Sequence, residues 1–153
     1  MKRKEWLMQE NKHRTLNTDE LETELRRSPS LESFLSKQEE CFKDTEFTDL
    51  LIRALDKSGM SKAALARASN MSEVYLHQLF SGRRRPSRNR LLCLCIGLRI
   101  PLEDCQELLR RNRNAMLYAR YRRDAVIEYG IIHGMDLYEI NDRLFQENEE
   151  TLI

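Results

Sequence analysis

The 153-residue sequence is short of glycine and proline, with five and three residues, and only 7% of it is aromatic. Sheets need turn residues and strands rich in aromatic or β-branched side chains, so this composition points away from β structure and toward helices. No apolar run approaches the roughly 20 residues that a membrane-spanning helix needs. The basic N-terminus MKRKEWLMQENKHR has no apolar core, so it does not read as a secretory signal. Three histidines, His13, His77 and His133, are scattered along the chain. There is no nucleophile–base pair, phosphate loop or metal-ligand spacing, which leaves an enzyme almost without support. Cys41, Cys93, Cys95 and Cys105 show neither CxxC spacing nor a paired histidine. They read as reduced thiols of a cytoplasmic protein, three of them buried, and no metal or cofactor is expected.

What the sequence has in quantity is charge, at 33% of residues, and the net value of +1 conceals its distribution. Residues 1–60 carry 11 basic and 13 acidic side chains, residues 61–123 carry 14 and 4, and residues 124–153 carry 1 and 8. A basic block therefore lies between acidic flanks. Alone, such a block is as readily a solvated face as a footprint for phosphates.

The block opens on SKAALARASNMSEVYLHQLFSG, residues 61–82. Ala63, Ala64, Leu65, Ala66 and Ala68 are small residues and good helix formers behind the cap residue Ser61. Met71, Tyr75, Leu76, Leu79 and Phe80 repeat at helical spacing behind a second cap, Ser72. Asn70 between them tolerates left-handed backbone angles, and Gly82 terminates the second helix. Two short helices joined by so tight a turn must cross at a large angle, which is the helix-turn-helix arrangement.

These residues resemble the XRE family of DNA-binding domains, the phage-repressor and Cro type. The resemblance rests on Leu65-Ala66, Met71-Ser72, Leu76, Leu79, Gly82 and the basic turn Arg83-Arg84-Arg85-Pro86-Ser87, and it extends from about Phe47 to Leu109. The family usually has glycine where this chain has Asn70, and often glutamine where it has Lys62. The resemblance implies a five-helix repressor-like domain whose second motif helix, Ser72 to Phe80, enters the major groove.

The whole chain reads as all-α in three parts: residues 1–43, an N-terminal segment; residues 44–111, the helix-turn-helix domain; and residues 112–153, a helical hairpin. Residues 1–15 read as disordered, and Met8 is an alternative start to Met1. Asn17 and Ser30 open two short helices around Pro29, which either fold back on the core or meet a partner. Asp44-Thr45 starts the first domain helix. Ser87 caps a helix that is apolar almost all round, with Gly97 either a close-packing site or the start of its end. Pro101 or Leu102 opens the fifth helix. Arg120, Arg122 and Arg123 precede an apolar run to Ile132, and Asp136 with Glu139 starts a last helix as a capping box. The hairpin resembles extensions on some bacterial XRE-type proteins. It either enlarges the core or builds a dimer surface.

By resemblance to the family, Ser72, Glu73, Val74 and Gln78 hold the base-reading positions. Gln78 suits adenine, Val74 a thymine methyl, and Glu73 only the amino group of cytosine. Lys62, Tyr75, His77, Arg83, Arg84, Arg85, Arg88 and Arg90 are expected at the phosphate backbone, with packing an equal alternative for Tyr75. Arg110, Arg111 and Arg113 read as a solvated face. The expected function is a sequence-specific transcriptional regulator of bacterial or phage type, binding double-stranded DNA as a homodimer. The alternative is a protein-interaction adaptor on the same scaffold, with a protein partner at the N-terminal segment or the hairpin. A signalling kinase acting near Ser28-Pro29-Ser30 would suit that alternative.

Overall fold

A computed structural model describes residues 16–42 and 45–153. The expectations for residues 1–15, for the start at Met1 or Met8 and for Asp44 lie outside the described residues. All regular structure among the described residues is α-helical, and the chain divides into two units, residues 1–44 and 45–153.

The first unit contains α1 (Thr18–Arg27), α2 (Leu31–Lys37) and α3 (Glu39–Phe42). Asn17 Oδ1 accepts from the Glu20 amide at 2.9 Å, and the Glu20 carboxylate accepts from the Asn17 amide at 3.2 Å. This reciprocal capping box starts α1, and the Ser30 hydroxyl starts α2 by accepting from the Ser33 amide. No residue of α1 is buried, and Leu25, Leu31 and Leu35 are exposed.

The second unit begins with α4 (Thr45–Ser58), which ends at Gly59 in a left-handed conformation. Then come α5 (Lys62–Ser69) and α6 (Glu73–Phe80). Their caps are the local sequence made visible. Ser61 Oγ accepts from the Ala64 amide and Ser72 Oγ from the Tyr75 amide, both at 3.1 Å. Asn70 adopts φ 54°, ψ 47°, the left-handed angles that let the chain turn within three residues. The same job is done by Arg99, at φ 54°, where α7 (Arg88–Leu98) gives way to α8 (Leu102–Arg111).

The centre of the unit is α7, whose residues 91–98 are all buried. Leu65, Leu76, Leu79 and Phe80 from the crossed pair α5–α6 pack into the same core as Phe47 and Leu51 of α4 and Leu108 and Leu109 of α8. Gly97 is a close-packing site and lies within α7. A Cβ there would sit 3.2 Å from the backbone of Ala68 and Ser69. Alanine at Gly97 gains about 1 kcal/mol of helix propensity. It also forces overpacking against backbone, which costs about 1–3 kcal/mol. Gly97→Ala should therefore lower stability by about 1 kcal/mol, and Gly97→Val by more, in urea unfolding. Unchanged midpoints in both variants would remove the close-crossing account.

The hairpin comprises α9 (Arg122–Ile132) and α10 (Leu137–Gln146). Arg122 and Arg123 form the first turn of α9, before its apolar run. Asp136 and Glu139 form the expected capping box of α10, at 2.8 and 3.1 Å. Ile127, Leu137, Ile140 and Leu144 join the core built on α7, together with Leu117 and Leu152. Residues 45–153 are thus one body, and the hairpin enlarges the core of the five-helix bundle.

Candidate nucleic-acid interface

Because Leu76, Leu79 and Phe80 are buried, the helical period turns the rest of α6 outward. Ser72, Glu73, Val74 and His77 are exposed, with Val74 at 71%, while Tyr75 and Gln78 are half-buried. Val74, at the second position of α6, contributes nothing to the core and presents its side chain to solvent. Glu73 stands in the first turn of α6, where its negative charge favours the helix dipole. That gives Glu73 a local role beside the cytosine contact the resemblance implies.

Past α6 the chain folds back on the helix end. The amides of Arg83 and Arg84 both donate to Gln78 O, at 3.0 and 3.3 Å. Gly82, at φ 77°, makes this reversal possible. The three side chains Arg83, Arg84 and Arg85 are exposed. Arg85 lies over the Phe47 ring at 5.7 Å, so it belongs partly to the core edge. Lys62, at the start of α5, lies 5.9 Å over the Phe80 ring with its ammonium free to face solvent. Arg90 stacks on Tyr75 at 4.4 Å. Tyr75 is therefore a packing residue of this pair, and its ring holds the Arg90 guanidinium beside α6. Ser72, Val74, Tyr75, Gln78, Arg84 and Arg90 together line an open cleft of about 580 Å³.

Arg88 departs from expectation. Its Nε donates to Ala115 O at 2.8 Å, and its Nη2 to Met116 O at 3.3 Å and to the Asp124 carboxylate at 3.1 Å. With these partners its side chain is turned to the hairpin and away from a phosphate. Arg110 and Arg111 are likewise engaged, both with Glu107 and Arg111 also with Glu46.

Asn112, Gln106 and Arg123 make contacts whose partners the sequence did not suggest. Buried Asn112 donates to Pro86 O at 2.9 Å and so braces the basic turn from behind. Gln106 clasps the backbone of Leu117, accepting from its amide at 2.7 Å and donating to its carbonyl at 2.9 Å. Arg123 reaches back to Asn89 Oδ1 at 3.1 Å. Each partner lies far away in sequence, so no local pattern reveals it.

Burial pushes the Cys93 thiol up to about 11. A hydrogen bond with Cys105, together with burial, holds Cys95 well above the ordinary thiol range. Neither supplies a thiolate near neutral pH. Among the described residues no group of three or more His, Cys, Asp or Glu comes close enough to hold a metal ion. No helix among them is long and apolar enough to cross a membrane.

Residues 46–108 match the model of a family described as a helix-turn-helix domain. The matched stretch spans α4 to α8 apart from their outermost residues, so the match covers the helix-turn-helix and the helices packed around it. No curated protein and no solved structure matches the chain. A helix-turn-helix domain marks a DNA-binding regulator in general.

Proposed function

We propose that the protein is a sequence-specific, cytoplasmic transcriptional regulator that binds double-stranded DNA as a homodimer. The observation that carries this reading is the exposed outer face of α6 rimmed by cations. Exposed Val74 and half-buried Gln78 line the cleft beside α6 together with Arg84 and Arg90, and Lys62 and Arg83 are exposed on the flanking segments, which suits base contacts from the first two and phosphate contacts from the cations. One recognition helix covers too few base pairs for useful specificity, so two copies on a pseudo-palindrome are expected.

The test is a titration of the full chain into labelled duplex fragments from its own upstream region, at about 50 and about 200 mM salt. Selection of one fragment, with affinity falling steeply between the two conditions, is the expected result. Absence of binding above background at the lower salt overturns the reading.

A second reading, an interaction adaptor, draws on the exposed leucines Leu25, Leu31 and Leu35 of the first unit. The Ser30 hydroxyl already caps α2, so a phosphate placed there by a kinase would add negative charge at a helix start. This reading takes over if no DNA fragment binds.

A further inference from the structure

The cleft beside α6 has one wall that is not part of the helix-turn-helix. Leu152 and Ile153, from beyond the last helix, line it together with Val74, Tyr75, Gln78, Arg84 and Arg90. The route there is well defined. Asn148 takes left-handed angles at the end of α10, at φ 58°, and turns the chain back. Arg123 then ties the returning segment down, its Nε donating to Glu150 O at 2.7 Å and its Nη2 to Thr151 O at 3.3 Å. Asn141 Oδ1 accepts from the amides of Leu152 and Ile153, at 2.8 and 3.1 Å. Leu152 is buried and Ile153 is partly open to the cleft.

We propose that residues 149–153 form an acidic strap that competes with the DNA backbone for the cleft beside α6. The proposal rests on the DNA-binding reading above and adds its control. The segment brings the apolar residues Leu152 and Ile153 to a wall where a phosphate needs donors. It also contains two carboxylates, Glu149 and Glu150, directly before the residues that line the cleft. Arg84 and Arg90 are held in the same cleft, so strap and phosphate draw on the same field. Arg123, Asn141 and the buried side chain of Leu152 hold the strap against the body of the unit.

Arg123 gives the decisive test, because two effects of its loss have opposite signs. Removing a positive charge from a DNA-binding protein ordinarily weakens binding. Releasing a competing strap strengthens it. Wild type, Arg123→Gln and a chain ending at Asn148 are titrated into the same random-sequence duplex at about 50 mM salt, with helix content checked by circular dichroism. Both variants should bind about five-fold tighter or better, and a Glu149→Gln/Glu150→Gln variant should gain part of that through charge alone. If Arg123→Gln loses helix content, the shortened chain, which keeps the Arg123 charge, decides. Equal or weaker binding by the folded variants, with wild type binding normally, overturns the strap and leaves the DNA reading intact. Absence of binding by every form overturns both.

Discussion

Replacing Asp124 by alanine should destabilise the 45–153 unit by about 3 kcal/mol. Asp124 is 5% exposed. One of its oxygens accepts from Arg88 at 3.1 Å and from the Tyr118 amide at 3.0 Å. Alanine leaves a half-buried guanidinium without its counter-charge and an amide without its acceptor. Breaking a buried pair from one side costs about 3–5 kcal/mol, and the Arg88 side chain, 24% exposed, recovers some of that from water. For a unit of this size the melting temperature should fall by roughly 10 °C. Asp124→Asn keeps an acceptor for Tyr118 and should lose about half as much. Thermal unfolding by circular dichroism reads both. An alanine variant melting with wild type would mean that the hairpin is not latched through this pair.

The Arg88–Asp124 pair also marks where sequence reasoning stops. Ser61, Ser72, Asn17 and Asp136 announce their helices because a cap and its target lie three residues apart. Asn70 announces the turn because few residues accept its backbone angles. These are local effects, and local effects survive in a linear string. Arg88 follows Arg83, Arg84 and Arg85 in the stretch RRRPSRNR, and although Ser87 marks it as the first residue of a helix, nothing local reveals its partner. Its carboxylate partner lies 36 residues on, in a segment that periodicity describes only as another helix. For the same reason the sequence suggests a boundary near residue 112, whereas residues 45–153 form one unit. The common core of Leu91, Leu109, Ile127 and Ile140 is not visible in the sequence. An apolar stripe reveals that a helix buries one face, but not which helix it buries that face against. The strap is the extreme case. Thr151-Leu152-Ile153 has no period at all, and only the reversal at Asn148 brings it to α6.

Arg83→Ala/Arg84→Ala should give the largest loss of DNA affinity that two substitutions can produce with the fold left intact. Both side chains are exposed, neither contributes to the core, and the backbone bonds of their amides to Gln78 do not depend on the side chains. Arg85 is left in place because its guanidinium also lies over Phe47. Each phosphate contact releases counterions and adds about 0.9 to the slope of log affinity against log salt. Two lost contacts should lower that slope by about 1.8 units. At about 0.1 M salt the same exponent gives a loss near 60-fold, falling to about 5-fold at 0.4 M. The convergence with salt separates this mechanism from local unfolding, which weakens binding by one factor at every salt concentration. Gln78→Ala should behave in the opposite way. It should keep the slope and lose about 1–3 kcal/mol on the selected fragment only, because a base contact carries sequence information and a phosphate contact does not. A double-arginine variant with wild-type affinity and slope would show that the rim around α6 does not meet the backbone. In that case the exposed cations serve only solubility.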